Sequence, residues 1–129
     1  MIRLPLLDDA EPERFPDPRH ALAEPNGLLA FGGDLSPARL LAAYAQGVFP
    51  WFNEGEPILW WSPDPRCVFR TAALKPNRSL RKLLARKHWR LSADRAFRAV
   101  VEACAEPRPG QHGTWIVPAM VEAYEALHR

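Results

Sequence analysis

Cysteine is scarce in this 129-residue chain, and its two copies, Cys67 and Cys104, fit neither a paired metal spacing nor a disulfide framework. A small disulfide-stapled scaffold is thereby excluded, and a reducing compartment, the cytosol, is expected. No apolar run approaches the roughly 18 residues that a spanning helix needs. The opening residues, Ile2-Arg3-Leu4-Pro5 running into Asp8, Asp9 and Glu11, lack the basic-then-apolar order of a leader. Glycine is sparse as well: Gly32-Gly33 is too short for either common phosphate-binding loop. The histidines at 20, 88, 112 and 128 are scattered, with no pair at helical metal spacing, and read as surface residues. No serine or cysteine triad is apparent. Cys104 falls at a helix-core position and reads as a small buried hydrophobe.

A further absence is local. Between Arg66 and Arg90 stand nine Lys or Arg and no Asp or Glu. Residues 1–64 hold ten acidic and four basic side chains, and residues 65–129 hold five acidic and thirteen basic, so a net charge of +2 divides into −6 and +8. A solvated helix face is ordinarily laced with glutamates. Their absence here points to a polyanionic partner.

Aromatics and prolines are abundant. Phe49-Pro50-Trp51-Phe52 and Pro57-Ile58-Leu59-Trp60-Trp61-Ser62-Pro63-Asp64-Pro65-Arg66 put three of the five tryptophans inside 18 residues. Proline fixes φ between the rings and stiffens the backbone that carries them. Rings so placed need packing, as a wall or a pocket, to stay in solution. Trp60 and Trp61 read as core. Trp51 follows the helix that carries Tyr44, and this pair is a candidate pocket for an apolar side chain or a purine base.

Local signals place the elements. Residues 1–25, acidic and rich in proline, read as an extended arm over the body. Asn26-Gly27 marks a tight turn. Ser36 suits a helix N-cap, Pro37 the first helical position and Gly47 the C-terminal cap, with Leu40, Leu41 and Tyr44 on one face. Cys67-Val68-Phe69 and Trp89-Arg90-Leu91 read as short strands. A basic helix is expected over 79–87 with Leu80, Leu83 and Leu84 inward. Asp94 is expected to cap a third helix, its inner face Phe97, Val100, Val101 and Cys104. A fourth helix runs from Pro118 with Met120, Val121, Tyr124 and Leu127 inward, and its period continues to Arg129 without a stop signal.

Six stretches taken together resemble the leucyl/phenylalanyl-tRNA–protein transferases of bacteria. They are Glu24-Pro-Asn-Gly-Leu-Leu-Ala30, Gly32-Gly-Asp-Leu-Ser-Pro-Ala-Arg-Leu-Leu41, Gly47-Val-Phe-Pro-Trp-Phe52, the run from Pro57 to Arg66, Gly113-Thr-Trp-Ile116 and Val121-Glu-Ala-Tyr124. The resemblance covers nearly all of the chain after about residue 14. It implies an α+β chain: a small N-terminal domain over 1–64, then, over 65–129, the incomplete start of an acetyltransferase-like (GNAT-like) mixed α/β domain. It implies transfer of Leu or Phe from aminoacyl-tRNA to acceptor proteins beginning with Arg or Lys, marking them for degradation, by a cytoplasmic monomer with no cofactor, metal or membrane. Tyr44, Trp51 and Trp115 match the family's aminoacyl and adenosine pocket, and Arg78 its tRNA-facing surface. Arg81, Lys82 and Arg86 join Arg78 on charge alone. The family's proposed catalytic carboxylate and glutamine fall beyond residue 129, so no catalytic residue is assigned. Two other readings fit the composition: a non-catalytic tRNA-binding module, and a proline-peptide groove that leaves the basic stretch unused.

Overall fold

The computed structural model describes residues 4–88, 90–110 and 114–129. Its elements, in chain order, are β1 (Leu6–Leu7), β2 (Leu28–Gly32), α1 (Pro37–Ala45), β3 (Phe49–Pro50), β4 (Leu59–Trp61), α2 (Arg78–Ala85), α3 (Phe97–Ala105) and α4 (Pro118–His128), with single 3-10 turns at Pro18–His20 and Thr71–Ala73. The architecture is mixed α+β. The chain divides into two compact units, Met1–Asp64 with Phe97–Arg129, and Pro65–Ala96.

The larger unit is built on a four-stranded sheet in the order β1-β2-β4-β3. β1 runs parallel to β2, pairing Leu6 with Phe31, while β4 runs antiparallel to both β2 and β3. Local chemistry sets α1. The Ser36 hydroxyl accepts from the Arg39 N–H at 3.3 Å, Pro37 takes the first turn, and Gly47 beyond Gln46 has a φ of +73°. Leu29, Leu40, Ala43, Val48 and Trp60 form the core with Leu7 and Ala123 of α4. Trp60 is fully buried; its indole N–H donates to the Gly32 carbonyl at 2.9 Å, and Phe15 packs edge-on at 5.0 Å. Burying such a ring without a partner for its N–H would forfeit part of the gain.

Several expectations need correction here. Leu41 is 61% exposed, because on α1 the buried stripe is Leu40 and Ala43, and Leu41 lies about 100° away from Leu40 around the axis. Trp61 is half-buried, not core. The third helix begins at Phe97, three residues after Asp94, whose φ is +55°. Phe97 and Val101 are half-buried, but Val100 and Cys104 are exposed, so Cys104 is no core hydrophobe. On α4 the expected face is as read, with Met120 and Val121 buried and Tyr124 and Leu127 half-buried.

In the smaller unit every described residue is exposed. Its helix α2 spans Arg78–Ala85, somewhat ahead of the expected 79–87, with the Asn77 side chain accepting from the Leu80 N–H at 2.8 Å. Leu80, Leu83 and Leu84 stand exposed, against expectation. The apolar triplet Cys67-Val68-Phe69 is not a strand. The expected strand at 89–91 falls partly outside the described residues; Arg90 and Leu91 are irregular.

Candidate functional site

The larger unit carries a cleft of about 1270 Å³, lined on one side by Trp51, Asn53 and Glu54 and on the other by α3, the loop after it, and the start of α4. Two buried side chains build it. Phe52 and Val117 share one apolar cluster with Met120, which ties the loop after β3 to the entry of α4. Along the first of these extended segments the side chains alternate, so burial of Phe52 turns Trp51 outward. Along the second, Val117 is buried and Trp115, two residues before it, lines the same cleft. The two indoles are 52% and 42% exposed, enough to accept a flat or apolar group and enough buried to be fixed in place.

Tyr44 is not among the residues lining this cleft. Its hydroxyl meets that of Tyr124 in a short hydrogen bond from α1 to α4, with the rings 6.5 Å apart. Burial pushes the Tyr124 phenol well above the ordinary tyrosine range, and the Tyr44 hydroxyl adds to the effect. The structure therefore brings Trp51 and Trp115 together and gives Tyr44 a different neighbour. Sequence reading could not supply that neighbour: Tyr124 lies 80 residues away.

The cleft has a charged side as well. Arg98 of α3 lines it and pairs with Glu102 at 2.8 Å, with Glu122 of α4 at 2.8 Å, and with Glu125. Those carboxylates, Glu122 first, hold the Arg98 guanidinium protonated well beyond its ordinary value. Of this cluster, only Arg98–Glu102 had a sequence signal, its i,i+4 spacing. No group of three or more potential metal ligands occurs among the described residues, and no described helix is long and apolar enough to cross a membrane.

Arg78, Arg81, Lys82 and Arg86 lie in the smaller unit, the first three on α2 and Arg86 at its C-cap. All four are exposed, and none is ion-paired with a carboxylate among the described residues. Residues 65–96 contain ten Lys or Arg against one acidic residue, Asp94, a net charge of +9. A surface of this kind holds phosphates without reading bases.

The larger unit thus carries a cleft with two half-exposed indoles and a charged side, and the smaller unit is strongly basic; comparison with known proteins places the chain among relatives. Residues 33–64 match the family profile "leucyl/phenylalanyl-tRNA protein transferase N-terminal domain", and residues 68–129 match "leucyl/phenylalanyl-tRNA protein transferase". The chain is 58% identical over 116 residues to a leucyl/phenylalanyl-tRNA–protein transferase of Shewanella loihica, covering 90% of this chain and 49% of that protein. It is 63% identical over 116 residues to one from Anaeromyxobacter dehalogenans (89% and 49%), and 57% identical over 127 residues to one from Xanthomonas axonopodis pv. citri (97% and 51%). The chain belongs to the leucyl/phenylalanyl-tRNA–protein transferase family. It spans about half the length of these curated relatives.

Proposed function

We propose that this chain supplies the N-terminal domain (1–64) and the opening part (65–129) of an acetyltransferase-like (GNAT-like) catalytic domain in a cytoplasmic, monomeric aminoacyltransferase. The enzyme moves leucine or phenylalanine from its tRNA to the α-amino group of a protein beginning with Arg or Lys, marking that protein for degradation. The observation that carries this reading is the cleft between Trp51 and Trp115. Two half-exposed indoles suit a side chain unbranched at Cβ, or a stacked adenine, whereas Val or Ile would crowd the mouth. Tyr44 is assigned to the same pocket through the family motif that it shares. Arg78, Arg81, Lys82 and Arg86 are assigned to the tRNA backbone, and binding there should weaken steeply with salt.

The reaction is aminolysis of an activated ester. The acceptor amine, in its neutral form, attacks the ester carbonyl; a peptide bond forms, and the bond to the ribose oxygen breaks as that oxygen takes up a proton. The protein's task is to hold the ester, admit the amine and stabilise the tetrahedral oxyanion, which requires no cofactor. The aromatic cleft would perform the first of these by fixing the aminoacyl end.

The test is transfer of labelled phenylalanine from its tRNA to a protein with N-terminal Arg, using the full-length form that contains this chain. Trp51→Ala is expected to lose about 1–3 kcal/mol of transition-state binding, read in kcat/KM. Undiminished transfer would remove the pocket assignment. A second reading, a non-catalytic tRNA-binding module, rests on the exposed basic side chains of α2 alone. It predicts equal affinity for charged and uncharged tRNA.

A further inference from the structure

We infer that Trp61 is a positioning residue for the cleft, holding the Trp51 ring as its wall; the inference rests on the aminoacyl reading above. Trp51 is the first residue beyond β3, a two-residue edge strand whose second member, Pro50, has no N–H to give the sheet. Left to that strand alone, Trp51 would sit on a free loop. Instead, both of its backbone polar groups are tied to β4. The Trp51 N–H donates to the Leu59 carbonyl at 2.9 Å, and the Trp51 carbonyl accepts from the Trp61 indole N–H at 2.7 Å. The two rings also touch, with centroids 6.0 Å apart and planes inclined by 53°. Tilted pairs of this kind add attraction beyond the area they bury.

Trp61 is itself well placed to act as a fixed point. It lies on β4, an inner strand, paired with Leu28 on one side and Phe49 on the other. It does not line the cleft, so whatever it contributes to a ligand there passes through Trp51. A half-exposed indole with two free torsions would have to be ordered when a ligand arrives, and that cost weakens binding. Trp61 meets the cost in advance by closing one side of the Trp51 ring and leaving the cleft side open.

The experiment labels the indole nitrogens of the full-length form that contains this chain with ¹⁵N. It measures the order parameter of the Trp51 ring and the affinity for 3′-phenylalanylamido-adenosine, the amide-linked, non-hydrolysable donor end. Uncharged tRNA serves as the phosphate-only probe. Trp61→Phe is expected to loosen the Trp51 ring and weaken the amide probe about three- to tenfold, leaving uncharged tRNA unchanged. Benzothienylalanine at position 61 keeps the bicyclic ring and removes only the donor, so it supplies the same test where phenylalanine upsets folding. A Trp51 ring as ordered as before, a looser ring with undiminished probe affinity, or an equal loss of uncharged tRNA would each overturn the inference. If the unsubstituted full-length form fails to bind the probe, or Trp51→Ala binds it equally well, the aminoacyl reading falls and takes this inference with it. That failure is visible before position 61 is changed.

Discussion

Replacing Asp34 by asparagine is expected to destabilise the larger unit more than replacing Arg39 by methionine, although only the second change strips a whole charged side chain from the core. Arg39 lies on α1 and is fully buried. Its Nη2 donates to the Asp8 carbonyl at 2.7 Å, its Nε lies 3.5 Å from Asp34 Oδ1, and Asp9 stands 4.0 Å away. Neither Nε nor Nη1 has a hydrogen-bond partner among the described residues, and Gly33 packs so closely that an added Cβ would meet Cζ at 2.9 Å. Removing the guanidinium from water costs several kcal/mol. The charge-assisted bond to Asp8 returns about 1.5–3 kcal/mol of that. At 3.5 Å, a unit charge pair is worth about 5 kcal/mol at an effective dielectric near 20. Asp34 is substantially solvated, however, so screening leaves about 1–2 kcal/mol.

Methionine at 39 removes the desolvation cost together with everything that offsets it, and fills much of the same space. The expected change is within about 1 kcal/mol of zero, of either sign. Asparagine at 34 keeps the Oδ1 acceptor for the Ser36 N–H, now at 2.7 Å, and deletes only the charge. It leaves the buried cation in place, so the expected loss is about 1–2 kcal/mol. Urea unfolding followed by the fluorescence of buried Trp60 measures both. The pH dependence supplies a second check. Burial works to raise the Asp34 pKa, but the Ser36 hydroxyl and N–H together with Arg39 outweigh it and hold the carboxyl below its ordinary 3.8. A depressed carboxylate stabilises above its unfolded value and loses that stability as pH falls through the folded one. The gap between wild type and Asp34→Asn should therefore close below pH 3.8. A loss above about 2 kcal/mol for Arg39→Met, beside one under about 0.5 for Asp34→Asn, would refute the reasoning.

Two further outcomes follow from local geometry. Gly27 has a φ of +89°, and a Cβ there would lie 2.5 Å from the Pro63 backbone, whereas Gly55, at +81°, meets nothing within 4 Å. Gly27→Ala is expected to cost more than Gly55→Ala, whose penalty is the left-handed backbone alone, about 1–2 kcal/mol; equal losses in urea unfolding would contradict this. Glu125 is held below its ordinary 4.5 by Arg129 first and Arg98 second. Its contribution to holding α3 against α4 is present above that value and fades as pH falls through the lower folded one. Hydrogen exchange is expected to show α3 amides losing protection on acidification before those of β2 and β4; simultaneous loss would count against the ion-pair cluster.

How much of this was legible beforehand depends on whether the cause was local. Ser36, Pro37 and Gly47 bound α1 by capping chemistry that each residue carries with it, and Pro118 opens α4 in the same way. Trp60 and Trp61 both read as core from their size and apolar neighbours; only Trp60 is core, because β4 turns alternate residues to opposite faces. The cleft was half legible. Trp51 could be named as a candidate wall from its loop and Trp115 only through the family resemblance, but the Phe52–Val117 contact that sets them on one cleft joins residues far apart in sequence. Tyr44–Tyr124 and Arg98–Glu122 escaped for the same reason.

The smaller unit shows the difference most sharply, because charge and apolar pattern there have opposite dependence on context. A lysine or arginine run without acids is a basic surface wherever the segment folds, since burying it unpaired is prohibitive. The +9 of residues 65–96 was therefore readable as an exposed basic surface without any tertiary information. Leucines at 80, 83 and 84 say only that the helix has an apolar side. What covers that side is a property of another segment, and no described residue of this unit is buried against it. Helix formation itself needs neither answer: the Asn77 cap and the leucine, lysine and arginine propensities suffice to propose α2. The element and its charge are thus encoded within about ten residues, while the environment of its apolar side is encoded elsewhere. That is why Leu80, Leu83 and Leu84 were expected to face inward and are exposed.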